Sequence, residues 1–316
     1  MRRRGILLGA LAALAVAAAP AQEWPARPVR IIAPFPPGGS ADTLARITAE
    51  RLGTRLGQSF VVENRPGAGG LIGSEFVAKA APDGYTFVVS GVASHAIAPA
   101  MTAVPFDPLK SFTHVVLFGG PPTVLIVSPA LPAHDLAEFI ALSKSRPGGL
   151  SFGSPGQGTH GHLLIEMLKT ISGANLSHVP YKGAALAISD LLGGHIPAAS
   201  TTLTTAATQI KAGKARALAV SSAKRLPEFG AVPTYAESGF PDIVAITWFS
   251  LSGPAGLPPP VVARLNSEVR AIMQLPEVRE RFAPEGFEPN DLDAAAFTNF
   301  VREEIERWGP LARALK

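Results

Sequence analysis

The chain has 316 residues, 47% hydrophobic and 16% charged, with a formal net charge of +4 and no cysteine. That length suits one large domain or two lobes of ordinary size. The missing cysteine removes disulfides, thiol nucleophiles, cysteine-ligated zinc or iron–sulfur centres and a lipidated N-terminal cysteine.

Three of the positive charges, Arg2, Arg3 and Arg4, precede the apolar stretch ILLGALAALAVAAAP and the triplet Ala19-Pro20-Ala21. A basic region, a short apolar region and a small-x-small site read as a secretory signal peptide over 1–21, cleaved after Ala21. Without those arginines the charge falls from +4 to +1. No basic face of the kind nucleic acid requires remains, and no later stretch reaches the ~18 apolar residues of a membrane span.

Strand-like apolar runs then alternate with helix-period segments, which predicts an α/β fold. Val29–Ala33 reads as a strand, followed by a helix with Leu44, Ile47, Leu52 and Leu56 near helical spacing and Gly57 as its stop. Phe60–Val62 is a second strand, before a Gly-rich turn and a helix through Ala81. Thr86–Ser90, Val115–Phe118 and Val124–Val127 are further strands, the last two separated by Gly119-Gly120-Pro121-Pro122. Beyond this break come a helix at Leu136–Ser145, a strand at Leu150–Gly153, and a helix with Leu163, Leu164, Met167, Leu168 and Ile171 on one face. Ser177–Val179 is a strand and Ala184–Leu192 a helix closed by Gly193-Gly194. Ile196–Ser200 and Arg216–Val220 are strands around a helix near Ala206–Lys211. Ala245–Leu251 is a long apolar run with Trp248 and Phe249, which read as core or hinge packing in preference to ligand stacking. Pro258-Pro259-Pro260 opens a helix, and Asp291–Leu311 is charged and amphipathic. Breaks near 120 and 245 divide the chain in three. If the outer segments form one lobe and the middle another, two strands join them across a cleft.

Two strand–helix turns carry most of the chemistry. Pro34-Phe35-Pro36-Pro37-Gly38-Gly39-Ser40-Ala41-Asp42 has glycines that free backbone N–H groups, Ser40 placed to cap the helix and Asp42 in its first turn. Ser154-Pro155-Gly156-Gln157-Gly158-Thr159-His160-Gly161 matches G-x-G-x-x-G. A dinucleotide would also need an acid roughly 20 residues on, where the sequence reads HVPYKG and the next acid is Asp190. Both turns read either as helix-terminus anion sites or as ordinary connections. His160 and His162 lie two apart and point to different sides of a helix, so no metal is expected. Neither G-x-S-x-G nor a P-loop is present, and no cofactor is implied. Glu63 and Arg65 are expected to pair and fix a third Gly-rich turn, at Pro66–Gly70.

RPVRIIAPFPPGGSAD, LGQSFVVENRPGAGG, APDGYTF, VPFDP, SPGQGTHGHL, HVPYKG, DLLGGH, GKARALAV and VPTYAESG follow one another in order. The series resembles the Bug/TctC family, the receptors of tripartite tricarboxylate transporters, from about Trp24 to Trp308. The resemblance implies a two-lobed periplasmic-binding-protein-like fold of type II, its lobes joined by two crossing strands: lobe 1 from 22–120 plus 246–316, lobe 2 from 121–245. It implies a periplasmic, monomeric receptor and not an enzyme. Such a receptor binds a small organic acid between the lobes and delivers it to a permease of two subunit types, or reports it to a membrane sensor. A carboxylate would be held mainly by backbone donors and waters of two loops, with Phe35, Pro36, Gly38, Gly39 and Ser40 as site residues on one lobe and Ser154, Gly156, Gln157, Gly158 and Thr159 on the other. Two helix N-termini offer together about one positive charge. A second carboxylate would need other donors, for which His95, Lys182, Thr201 and Thr202 are candidates. The sequence departs from the family pattern after DLLGGH, where His195-Ile196-Pro197 replaces the frequent Gln–Val–Asp run. The competing reading is a secreted α/β enzyme using Gly156–Gly161 for an anionic substrate or nucleotide.

Overall fold

The computed structural model describes residues 24–283 and 286–315; the predicted signal peptide and its cleavage site lie outside them. Strands Val29–Ala33 (β1), Phe60–Asn64 (β2), Thr86–Gly91 (β3) and Phe112–Gly120 (β4) alternate with helices Ser40–Leu56 (α1), Leu71–Ala78 (α2) and Ala98–Met101 (α3). Next come Thr123–Val127 (β5), Leu136–Ser145 (α4), Leu150–Ser154 (β6), His160–Ser172 (α5), Leu176–Pro180 (β7), Ala184–Leu192 (α6), Ala198–Thr202 (β8), Leu203–Lys211 (α7) and Arg216–Val220 (β9). The C-terminal part holds Phe249–Pro254 (β10), Pro259–Met273 (α8), Pro276–Phe282 (α9), Glu288–Pro289 (β11) and Ala294–Arg313 (α10).

These strands make two mixed sheets, ordered β11-β4-β10-β3-β1-β2 and β7-β6-β8-β5-β9. β1 is parallel to β2 and β3, and β6 is parallel to β7 and β8. The parallel pairs are joined through helices, as parallel pairing demands. β1 is apolar at four of five positions, and Val29, Ile31, Ile32 and Ala33 are fully buried. Each large aliphatic side chain removed from water in this way contributes about 1.5–3 kcal/mol. α1 buries Leu44, Ala45 and Leu52 and stops at Gly57, whose left-handed conformation caps the helix through an N–H bond to the Gly53 carbonyl.

The chain leaves the first sheet at Gly120 and returns through Ala245–Trp248 into β10, which inserts between β3 and β4, antiparallel to both. The two crossings run side by side. Pro122 bridges Ile246, and the Thr247 N–H donates to the Pro121 carbonyl at 2.9 Å. A Cβ on Gly120 would lie 2.1 Å from the Thr247 carbonyl oxygen, so this approach requires glycine.

Some expectations shift. The run 245–251 is two things: the returning crossing, then a strand that begins only at Phe249. β8 starts and ends two residues later than its apolar pattern, so Thr201 and Thr202 belong to the strand and not to the loop after it. Ile171 is 53% exposed despite its helical phase, because it lies in the last turn of α5. A π-helical turn over Ala93–Ile97 is buried throughout and so carries no amphipathic signature. α10 packs against elements of both sheets: its Phe297, Val301, Trp308 and Ala312 share one apolar core with Ile97 from the first half and Leu163, Leu164 and Phe139 from the second.

Candidate ligand-binding cleft

Phe249, at the start of β10, lies opposite Gly91, at the end of β3. Thr123, at the start of β5, lies opposite Thr202, at the end of β8. Both pairs face a cavity of about 100 Å³ between the sheets. It lies beyond the carboxyl ends of the parallel strands, the usual ligand position in open α/β sheets.

Three helices begin at this cavity. α1 starts at Ser40 after N-cap Gly39, α5 at His160 after N-cap Thr159, and α6 at Ala184 after N-cap Gly183. First-turn residues of all three line it. Amides there have no intrahelical acceptor, and each helix start carries roughly half a positive charge. α1 belongs to the first sheet, α5 and α6 to the second. An anion between them would therefore be stabilised from both sides.

The turns are held by their own side chains. The Gly38 N–H donates to Asp42 Oδ2 at 3.1 Å, and Arg46 and Asn64 donate to the same carboxylate. Burial works to raise the Asp42 carboxyl, but these donors and the Arg46 charge hold it below its usual range. Asp42 thus stays ionised and neutralised by Arg46. Ser40 does not cap α1. It is the first helical residue, and its Oγ crosses the cleft to Thr202 Oγ1 at 2.9 Å. In the other turn Thr159 Oγ1 donates to the Gly156 carbonyl at 2.7 Å, and Ser154 Oγ accepts the Gly156 N–H. Ser154 Oγ also meets His178 Nε2 at 2.6 Å. Gly158, at φ +75°, packs directly on Ala98 of the first half.

Of the residues singled out from the sequence, Phe35, Pro36, Gly39, Ser40, Thr159 and Thr202 line the cavity. Gly38, Ser154, Gly156 and Gly158 belong to the turns without lining it, Pro155 between them does line it, and Gln157 is exposed. His95 does not line it. It is fully buried, its ring 4.6 Å from that of Phe112 and its Nδ1 bonded to Ser94. Thr201 is fully buried too, its Oγ1 without a partner. Lys182 is exposed outside the cavity. The Glu63–Arg65 pair forms at 2.7 Å, with the guanidinium over the Phe76 ring.

Other lining residues were not among the sequence-based site candidates. Val89, Val92, Ala93, Trp248 and Phe249 make an apolar wall. Trp248 and Phe249 stay buried, as core residues would, yet also face the cavity. His160 lines it as well, 1% exposed, with Nδ1 bonded to Thr247 Oγ1 at 3.1 Å and its ring 4.6 Å from Trp308. Thr247 Oγ1 in turn meets Thr123 Oγ1 at 3.1 Å, so the start of α5 is bonded to the paired crossings. Burial, with Arg307 nearby, pushes the His160 imidazole down to about 3, and it is neutral. His162 stacks on His178 instead, at 4.1 Å. Among the described residues no group of three His, Cys, Asp or Glu is placed to hold a metal, and no helix is long and apolar enough to cross a membrane.

Two mixed sheets joined by paired crossings, with helix starts facing each other over one cavity, define a protein of the periplasmic-binding class. The family model for the tripartite tricarboxylate transporter family receptor matches residues 44–316, and the chain belongs to this family. It is 38% identical to BugT of Bordetella pertussis over 317 residues, 99% of this chain and 97% of that one. Among solved structures, an R. palustris protein with adipate is 35% identical with a TM-score of 0.88, covering 92% of this chain and 98% of that one. MatC from Rhodopseudomonas palustris with bound malate is 31% identical with a TM-score of 0.87, covering 92% and 100%. The family is one of substrate receptors, so the Gly156–Gly161 turn serves a receptor and not an enzyme.

Proposed function

We propose that this chain is a periplasmic receptor that closes two lobes over a small organic carboxylate and delivers it to a membrane permease of two subunit types. The lobes are 22–120 with 246–316, and 121–245; export follows cleavage after Ala21. The observation that carries the reading is the convergence of three helix N-termini, from both sheets, on a cavity lined by no charged side chain among the described residues. Together they offer about one and a half positive charges, enough to balance a carboxylate without an arginine. Four charge-assisted hydrogen bonds at ~1.5–3 kcal/mol each give ~6–12 kcal/mol. Ordering of the ligand offsets part of this, which leaves micromolar binding, ~8 kcal/mol. The adipate and malate held by two relatives agree with an acid as ligand. Native mass spectrometry of protein freshly purified from the periplasm tests the reading. A retained acid, lost on unfolding, is expected. Protein that arrives empty and gives no heat with any of a broad panel of carboxylates would refute it.

A further inference from the structure

We infer that His160 is a specificity residue of the cleft: its Nε2 hydrogen-bonds a second oxygen-bearing group of the bound acid, a carboxylate, carbonyl or hydroxyl, beside the paired crossings. This rests on the carboxylate-receptor reading above and adds a side-chain contact to it.

One atom sets His160 apart from the other polar side chains that line the cavity. Ser40 bonds Thr202, Ser94 bonds His95 Nδ1, Thr123 bonds Thr247, Thr159 donates to the Gly156 carbonyl, and the Trp248 indole donates to Glu304. His160 Nε2 has no partner among the described residues, although the side chain is buried. A buried polar atom left in this state is costly. Two sides of the ring are taken. Nδ1 meets Thr247 Oγ1 at 3.1 Å, and the Trp308 ring stands against it at 67°. The open space that His160 borders is the cavity, so that is where a partner for Nε2 has room.

Position separates this contact from the first carboxylate. His160 opens α5, yet its ring reaches Thr247 in the returning crossing and, through it, Thr123. A carboxylate at the first-turn amides therefore leaves the remainder of the acid near the crossings, where His160 meets it. The imidazole suits oxygens of either kind, since a neutral ring has one donor and one acceptor. When the Thr247 hydroxyl donates to Nδ1, Nε2 carries the hydrogen and donates to a carboxylate or carbonyl. When Nδ1 donates to Thr247, Nε2 accepts from a hydroxyl. An acid that ends in an alkyl group leaves Nε2 unpaired, and sites built to hydrogen-bond a ligand group reject analogues that lack it.

Calorimetry on the mature protein, freed of retained ligand by unfolding and refolding, tests this with acids matched in chain length: butyrate against succinate and 3-hydroxybutyrate, and hexanoate against adipate. In the wild type at least one acid with the second group is expected to bind tenfold or more tightly than its plain counterpart. In His160→Phe that preference should fall to threefold or less, while the plain acid's affinity changes by no more than threefold. A crystal structure of the wild type with the tightest of these acids should place a ligand oxygen within about 3.2 Å of Nε2; it decides the contact even if His160→Phe does not fold. A wild type without the preference, a preference that survives in His160→Phe or is lost together with binding of the plain acid, or a complex with no ligand oxygen at Nε2 overturns the inference and leaves the receptor reading intact. No acid bound at all overturns both.

Discussion

Gly39, the N-cap of α1, and Gly158, one residue before the N-cap of α5, sit in two turns at the same cavity and are not equally replaceable. A Cβ on Gly39 would meet nothing nearer than the Pro36 carbonyl at 3.9 Å, and its φ is −88°. A Cβ on Gly158 would lie 2.6 Å from the Ala98 side chain, at φ +75°. The left-handed conformation costs a non-glycine residue ~1–2 kcal/mol. The clash adds a term that exists only when Ala98 and the turn are together, that is, with the cleft closed. Gly158→Ala is therefore expected to weaken ligand binding at least tenfold, ~1.4 kcal/mol, while Gly39→Ala stays within about threefold of wild type at the same scale. Titration calorimetry on the two variants decides it. Equal affinities would show that the 154–161 turn does not approach the first lobe when ligand binds.

At the scale of elements, α10 does more than finish the chain. Its Glu304 Oε2 accepts both the Trp248 and the Trp308 indole N–H, at 2.7 and 2.8 Å, fixing the returning crossing to the C-terminal helix. The same helix covers two buried histidines: Trp308 lies on His160, and Phe297 on His114 at 5.3 Å. His114 is held by Ser252 and the Pro108 carbonyl. Burial takes its imidazole down to about 4, as it takes His160 to about 3. Both are neutral when folded, and both bind a proton near pH 6.5 when unfolded. The unfolded state then holds more protons between pH 6.5 and about 4, so stability is full above 6.5 and lost as the pH falls, by up to ~1.4 kcal/mol per pH unit for each residue. Urea unfolding at pH 7.0, 5.5 and 4.5 should show a falling free energy, in a window above that in which Asp42 titrates. A constant value would mean that these rings are not buried neutral.

Neither role of α10 was legible in the sequence, because an amphipathic pattern says that a face is buried and not against what. The glycine turns were legible, since Gly38, Gly156 and Gly158 take positive φ that side chains rarely follow. The turn before α6 was not, having one glycine and no serine or threonine. The apolar wall was hidden for a different reason: Val89, Trp248 and Phe249 are buried by the fold as well as by the cavity, and composition does not separate the two.

For the whole molecule, the contacts across the cleft raise the question of what holds it closed. Ser40 to Thr202, Gly158 against Ala98 and Gly183 against Pro36 join the two halves at the cleft and are each small, while behind it α10 shares one apolar core with both halves. Against them stand three helix starts with their positive ends directed at one small space, which repel one another when nothing lies between them. On the proposed function, opening about the paired crossings at Pro121–Pro122 and Ile246–Thr247 would relieve that repulsion and let water reach the first-turn amides. A bound carboxylate would reverse the balance, because its donors from both halves would be assembled only in the closed form, and a ligand shifts an equilibrium by its differential affinity for the two states. At 100 times its dissociation constant it should also stabilise the fold by about 2.7 kcal/mol. Small-angle scattering of the mature protein, stripped of ligand and then saturated with its acid, is expected to show a smaller radius of gyration in the bound form. Spin labels on exposed residues of α1 and α6 should approach by several ångströms. Identical profiles and label distances with and without saturating acid would mean that the cleft is preformed and that the paired crossings are struts and not a hinge.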